Sequence, residues 1–571
     1  MFERVLIANR GEIAVRIART CRELGVTPVG VYSDPDRRSR HVSEMHDAVR
    51  LEGDTPAATY LNSDALVAAA RELGAEAIHP GYGFLSEDAL FAEEVMAGGV
   101  TFIGPPVEAL RASGDKLRAR QLAAAAGVPT VPGSSEPCPD HAAAAELAER
   151  VGLPVAIKAA GGGGGRGLKV ARSLEEVPGA FDQARREAQA YFSSSEVYVE
   201  RFLSAPKHLE VQILAPTLGE AHWLGVRDCS LQRRNQKLVE ETPPPRFRHL
   251  EPEMGAAAVS FARTCGYLGV GTVEMLVDTA TESFYFLEMN ARLQVEHTVT
   301  EEVFGVDLVA CQLLIAAGEW RESCLDNLQP RGHAIECRVN AEDPARGFAP
   351  APGRITAYRE PAGLGVRVDS GYGAGDEIPG AYDSLVAKLI IWGTDREQAV
   401  RRTHRALDDF VIEGVPTTIS AHRVLLSDES FLAGSHTTAT VTELFARFES
   451  TSAPRVETSG VMVVGGRAAR LWHPAMAAAA TQATSPGGGV LLAPMQAVVL
   501  EVLVAEGDRV AAGAALVRLE AMKMETVVCA PREAEVTRVA VAAGETVPAG
   551  GVVAELSDPR EEHLDSASES L

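Results

Sequence analysis

Leu519-Glu520-Ala521-Met522-Lys523-Met524-Glu525 lies between two copies of one pattern. Ala493-Pro494 recurs as Ala530-Pro531, Gly507 as Gly544 and Gly513 as Gly550, each 37 positions later. Lys523 falls between the copies. Two similar β-rich halves joined by a tight turn put this one lysine at a hairpin tip, far from any core. A lysine amine there, once it has lost its proton, is an accessible nucleophile and suits a residue that carries a covalent arm.

The rest of the chain is long enough for several domains, since 571 residues exceed the roughly 250–300 at which single cores stop growing. Apolar residues at 46% and charged residues at 23% are ordinary for globular protein. Against 78 acidic residues stand 54 basic ones, a net charge of −24. Such a surface repels nucleic acid and anionic membranes, so neither is expected as a partner. Anionic substrates then require positive charge gathered in a cleft. Eight cysteines at 21, 138, 229, 265, 311, 324, 337 and 529 form no CxxC pair, which argues against zinc and disulfides and for a reducing compartment. The N-terminal stretch has charges through its apolar part and no cleavable signal pattern. Residues 471–500 lack formal charge, but Pro474, Pro486, Gly487 to Gly489 and Pro494 interrupt any helix of spanning length. A cytoplasmic location is expected.

Val5 to Ala8, Asn9-Arg10-Gly11, a helical pattern over 12–24 and Val29 to Tyr32 predict the β-loop-α-β start of a doubly wound α/β domain. A region over 114–330 holds most of the chemical motifs, and 331–448 continues as mixed α/β. From residue 450 the composition changes. Residues 461–472, with Gly465-Gly466 at the centre, predict a two-stranded hairpin. Residues 475–483 suit a short helix, Ser485-Pro486-Gly487-Gly488-Gly489 a hinge, and the acidic 558–571 a disordered tail.

Two motifs carry the chemistry. Val155-Ala156-Ile157-Lys158 is a strand, followed by five glycines (Gly161, Gly162, Gly163, Gly164, Gly165) and a second strand, Leu168 to Ala171. Glycines between strands let backbone amides close over phosphate oxygens, and Lys158 and Lys116 supply positive charge. No GK[ST] follows, so this is not a Walker loop. The second motif is Glu288-Met289-Asn290-Ala291-Arg292-Leu293-Gln294-Val295-Glu296-His297. Read as a strand, it places Glu288, Asn290, Arg292, Gln294 and Glu296 on one face. An ordinary half-exposed strand shows the same alternation, but this polar set is specific. Glu288 and Asn290, with Glu274, offer hard oxygen ligands for Mg²⁺ beside phosphates. Arg292 has the planar donors for a small oxyanion, and Glu296 suits a general base.

These motifs, together with Arg227-Asp228-Cys229-Ser230-Leu231-Gln232-Arg233-Arg234 and Gly332-His333-Ala334-Ile335-Glu336-Cys337-Arg338, resemble biotin carboxylase over residues 1–448. Residues 490–557 resemble its biotinyl carrier, with Lys523 as the biotin site. Their order resembles the α chain of bacterial acyl-CoA carboxylases of the acetyl- or propionyl-CoA type. The resemblance implies an α/β multidomain fold: an N-terminal doubly wound domain (1–113), an ATP-grasp domain (114–330) and a C-terminal α/β domain (331–448). A linker or docking segment (449–489), a small all-β biotinyl/lipoyl-type barrel-sandwich (490–557) and the tail (558–571) follow.

The same resemblance implies residue roles. Lys116, Lys158, Gly163, Gly164, Gly165, Glu200, Leu203, His208 and Gln232 bind ATP, and Glu274, Glu288 and Asn290 hold Mg²⁺ or Mn²⁺. Lys237, Arg292 and the Val295 backbone position bicarbonate, Glu296 is its base, and Arg338 stabilises the biotin enolate. Expected partners are a carboxyltransferase β subunit, which alone meets the acyl-CoA, a biotin-protein ligase and further copies of the chain. Asn235 stands where the family often has histidine, Gln496-Ala497 follow Met495 where Pro-Gly is usual, and Ala534 replaces a usual glycine. The last two require turns made without positive φ. Two other readings compete: a non-catalytic scaffold, and a different ATP-grasp ligase with a lipoyl-type carrier. The intact Lys158, Glu274, Glu288, Arg292, Glu296 and Arg338 weigh against the first, and Met522-Lys523-Met524 against the second.

Overall fold

A computed structural model describes residues 1–160, 167–192, 194–321, 323, 325, 328–449, 460–464, 467–471, 489–493, 497–521, 524–548 and 550–557. It divides into two compact units, one made of Met1–Pro344 with Ala351–Glu443, the other of Ala345–Pro350 with Leu444–Leu571. Gly163, Gly164, Gly165 and Lys523 lie outside the described residues, as do the expected helix over 475–483, the hinge over 485–488 and the tail over 558–571.

The first unit opens as the sequence predicts. Arg4–Ile7 leads through the helix Gly11–Glu23 to the parallel strand Thr27–Tyr32. Ile13, Ala14, Ile17, Ala18 and Cys21 recur at helical spacing and are all buried, which fixes the face this helix turns to the core. Asp47–Arg50, Ala77–His79 and Thr101–Phe102 complete a parallel five-stranded sheet.

An antiparallel sheet of eight strands dominates the unit. Across it run Ser283–Asn290, Gly269–Asp278, Lys207–Thr217, Glu220–Arg233, Gln236–Thr242, His333–Asn340, Leu385–Gly393 and Val366–Ser370. The ladder continues across residues 330–331, so the central and C-terminal regions share one sheet. Between Arg233 and Gln236 the connection is two residues long, with Arg234 and Asn235 both at positive φ (49° and 63°). That is the tight hairpin turn in which asparagine is among the best tolerated residues, so Asn235 suits its position. Val155–Ala159 pairs with Leu168–Ala171 and Val197–Arg201 in a separate three-stranded sheet, backed by Val177 and Phe181 from one helix and Leu147 from another.

The strand expected to run through Glu296 stops at Asn290. The Glu87 carboxylate accepts the Ala291 N–H at 2.9 Å, so the backbone leaves the ladder there, and the helix His297–Phe304 begins six residues further on. Alternation therefore does not place Arg292 and Glu296 on the face of Glu288 and Asn290. A loop does.

In the second unit, Gly460–Val464 and Arg467–Leu471 pair antiparallel, as the hairpin expectation required. The repeat becomes a two-fold arrangement of backbone bonds. Gly507 N donates to Val536 O and Gly544 N to Val499 O, both at 2.7 Å. Gly513 N donates to Ala530 O and Gly550 N to Ala493 O, both at 2.8 Å. Each glycine amide thus bonds the opposite copy, and all four glycines have positive φ, between 74° and 93°. Two four-stranded sheets result, and one core rich in valine fills the space between them. Ala497 and Ala534, the residues in place of glycine, occupy equivalent positions at strand starts, are buried, and are not among the residues at positive φ. Ala521 pairs with Met524 across the central hairpin.

Gly507→Val and Gly544→Val should destabilise this unit by similar amounts, about 1–3 kcal/mol each, since both sites are open and only the backbone is strained. Hydrogen exchange of residues 490–557 in the full chain measures this. Unchanged protection in either variant contradicts the two-fold reading.

Candidate active site

Strand register builds the centre of the site. Glu288 stands directly opposite Glu274, Glu274 opposite Glu210, and Glu210 opposite Arg227, a row across four strands. Like charges so placed repel, and most of the row is buried, so cations must answer them. Lys116 Nζ lies 3.1 Å from Glu288. Arg227, fully enclosed, donates from Nε to Glu210 at 2.5 Å and from its other nitrogens to Gln212, Thr272 and Thr300. His208 Nε2 lies 3.0 Å from Glu274, and His208 Nδ1 lies 3.3 Å from Gln232 Nε2.

Lys237 joins the row to Glu296. Its Nζ donates to Glu210 at 2.6 Å, to Glu274 at 2.9 Å and to Glu296 at 2.7 Å. Burial lowers the pKa of this ammonium, but Glu210, Glu274 and Glu296 overcome that and hold it well above its ordinary value. Burial likewise raises Glu296, and Lys237, Arg338 and Arg227 outweigh it, leaving this carboxylate well below the usual range. These cations thus favour the carboxylate form of Glu296.

Arg338, on His333–Asn340, donates from Nη2 to Glu296 at 2.9 Å and from Nε to Glu240 at 2.6 Å. Lys237 and Glu240 are an odd number of residues apart on one strand, yet both reach this cluster. A register shift against Leu231 and Gln232 inserts a bulge between them and brings both to one side. Arg292 donates to Glu87 at 2.8 Å, to Asn290 Oδ1 at 3.0 Å and to Gln294 Oε1 at 3.1 Å, and Gln294 donates to Glu274 at 3.2 Å. Lys158 pairs with Glu200, which Arg120 also holds at 3.1 Å. Leu203 is half-buried in the loop after Val197–Arg201.

The structure thus gathers Lys237, Glu274, Glu296 and Arg338 directly, with Arg292 attached through Gln294. Lys116 joins through Glu288, and His208 and Gln232 through Glu274. Lys158 and Glu200 form a separate pair. Sequence reading missed Glu210, Arg227, Glu240 and Glu87. Polar residues at alternate positions in His208-Leu209-Glu210-Val211-Gln212, otherwise an apolar strand, were a usable signal for Glu210. Nothing local marks Glu87.

Residues 1–110 match the biotin carboxylase N-terminal domain, 115–323 the ATP-binding domain of the carbamoyl-phosphate synthase L chain, 336–443 the biotin carboxylase C-terminal domain, and 484–556 the domain of biotin-requiring enzymes. The biotin-dependent acyl-coenzyme A carboxylase alpha3 subunit of Mycobacterium leprae is 42% identical over 92% of this chain and 94% of its own length. The chain belongs to the biotin carboxylase family.

The biotin carboxylase of Nostoc sp. is 49% identical over 78% of this chain and 99% of its own. Among solved structures, the biotin carboxylase domain dimer of Hydrogenobacter thermophilus 2-oxoglutarate carboxylase, with MgADP, ADP and bicarbonate, superposes with a TM-score of 0.75 at 44% identity, covering 78% of this chain and 99% of that one. The chain itself is an ATP-grasp ligase fused to a biotinyl carrier domain, and its cofactors are biotin, ATP and Mg²⁺. The oxygen-only donor set of Glu274, Glu288 and Asn290, from facing strands, fits a hard cation. Among the described residues no helix is long and apolar enough to cross a membrane.

Glu240 supplies a test. Burial pushes its carboxyl up to about 7, opposed by Arg338 and reinforced by Glu296. The folded chain then binds an extra proton between the ordinary 4.5 and about 7, so stability falls as pH rises through that window. Glu240→Gln should lose less Tm across it than the wild type. An identical decline in the two proteins contradicts this assignment.

Proposed function

We propose that this chain carboxylates biotin carried on its own Lys523, and that carboxybiotin then serves a separate carboxyltransferase β subunit acting on a short-chain acyl-CoA such as acetyl- or propionyl-CoA. The observation that carries the reaction is Glu296, a buried carboxylate held by Lys237 at 2.7 Å and Arg338 at 2.9 Å.

Bicarbonate is received by Lys237, Arg292 and the Val295 backbone, while ATP lies against Lys116, Lys158, Glu200, Leu203, His208, Gln232 and the loop containing Gly163, Gly164 and Gly165. Glu274, Glu288 and Asn290 hold Mg²⁺, which neutralises phosphate charge. Glu296 takes the bicarbonate proton as the oxygen so freed attacks the γ-phosphorus, and the bond to ADP breaks. Carboxyphosphate then splits at its C–O bond into CO₂ and phosphate. The phosphate takes the proton of the biotin ureido nitrogen, which attacks CO₂. Arg338 stays charged at any working pH and stabilises the enolate oxygen rather than accepting a proton.

Three further points support the wider reading. The Mycobacterium leprae relative aligns through the carrier as well as the carboxylase, which favours the acyl-CoA class. Residues 449–489 are too few for a carboxyltransferase, because domains typically need about 50–250 residues. The seven described cysteines are free thiols, which supports a reducing cytoplasm. We further assign biotin attachment to a biotin-protein ligase and, by analogy with the related dimer, self-association to the carboxylase region.

Glu296→Gln should keep ATP and Mg²⁺ binding but lose about 10²–10⁴-fold of bicarbonate-dependent turnover with free biotin, the usual contribution of a general base. A near-wild-type rate with unchanged bicarbonate dependence rules the role out. Lys523→Arg should carry no biotin on a streptavidin blot yet still cleave ATP with free biotin and bicarbonate. Biotin on that variant means another lysine is the acceptor.

A further inference from the structure

The peptide units on either side of Val295 are each held at the carbonyl by a buried side chain. His297 Nδ1 lies 2.8 Å from the Gln294 carbonyl oxygen. A carbonyl only accepts, so the imidazole proton sits on Nδ1. Burial first, then Lys388, Arg16 and Arg367, hold the His297 pKa well below its ordinary value, so the ring is neutral and donates throughout the working pH range. Lys388 Nζ, with no exposed surface, donates to the Val295 carbonyl at 3.0 Å. Its charge is answered by Glu12 at 3.3 Å and Asp369 at 3.9 Å, and Glu12 also accepts from Tyr82. Lys388 lies on Leu385–Gly393 and Glu12 on the helix Gly11–Glu23, so segments far apart in the first unit's sequence meet at this one lysine. Gln294, Glu296 and His297 are buried, whereas Val295 is half-buried.

We infer that His297 and Lys388 are positioning residues for bicarbonate: they fix the Val295 N–H and the Glu296 side chain by clamping the two peptide units that flank Val295. The inference rests on the reading above, in which the Val295 backbone and Glu296 receive that anion. A peptide unit is planar, so holding the Gln294 carbonyl also aims the Val295 N–H on the same plane. A donor on that carbonyl polarises the amide and strengthens its N–H as a donor. Lys388 covers the negative end of the next peptide, whose carbonyl otherwise repels an anion at Val295, and fixes the backbone from which Glu296 projects. Neither side chain touches substrate, and each acts through the backbone.

The test uses the full chain with free biotin, varying bicarbonate and ATP separately. His297→Asn retains an N–H near the position of Nδ1, His297→Leu removes it, and Lys388→Met removes the second clamp. His297→Leu and Lys388→Met should each raise KM for bicarbonate about tenfold or more, the loss expected when a hydrogen bond serving a charged ligand goes. KM for ATP should stay within about twofold, because uniform damage to the site is not what is removed. His297→Asn should recover most of the bicarbonate affinity. The clamp is overturned if either folded variant keeps wild-type KM for bicarbonate, if the two KM values rise together, or if Asn is as impaired as Leu. Should His297→Leu fail to fold, Lys388→Met reads the same clamp from its other side. Wild-type ATP turnover that needs no bicarbonate removes the underlying reading instead, whereas bicarbonate-dependent wild type with unaffected variants removes the clamp alone.

Discussion

Three glutamates on adjacent strands, Glu288, Glu274 and Glu210, stand directly opposite one another in a mostly buried row, and the rest of the site follows from having to hold them there. Opposed like charges destabilise a sheet, and uncompensated buried carboxylates cost still more. Arg227 neutralises one end of the row, Lys116 the other, and Lys237 spans its middle to reach Glu296. The same lysine that steadies the fold thereby favours the ionised form of Glu296. Breaking that contact should harm both, because the lysine serves stability and chemistry through one set of bonds. In a chain with net charge −24, the proposed function gives this gathering of cations the further task of receiving ATP and bicarbonate, both anions.

How much of this was legible in the sequence depended on whether the information was local. The opening β-loop-α-β unit was readable because helical spacing of Ile13, Ile17 and Cys21 needs no partner to interpret. The internal repeat was readable for the same reason, and the similar positive φ at Gly507 (93°) and Gly544 (86°) shows that the glycines mark backbone shape. The segment from Glu288 to Glu296 was readable as a distinctive polar set but not as geometry. Its strand ends at Asn290 because Glu87, some 200 residues earlier in sequence, captures the next amide, and no local pattern announces that. Glu240 was missed because a bulge, a property of strand pairing, brings it beside Lys237. Register likewise hid Glu210 and Arg227, whose roles appear only when four strands are set side by side.

The carrier unit answers a different demand. A residue that bears a covalent arm needs a rigid base and a free tip. Reciprocal bonds between the two copies, Gly507 to Val536 and Gly544 to Val499, give that base from the backbone. They leave side chains such as Ala497 and Ala534 to fill a small core, so an alanine where glycine is usual is tolerated at both equivalent positions. The carboxylase unit, by contrast, depends on side-chain charge at nearly every step of its mechanism.

The central claim is that an oxygen of bicarbonate attacks the γ-phosphorus of ATP. Turnover with ¹⁸O-labelled bicarbonate, free biotin and unlabelled ATP tests it most directly, because carboxyphosphate breaking at its C–O bond leaves the attacking oxygen on phosphorus. The account predicts one labelled oxygen in each phosphate released. Phosphate without label, formed at the same rate, would contradict it.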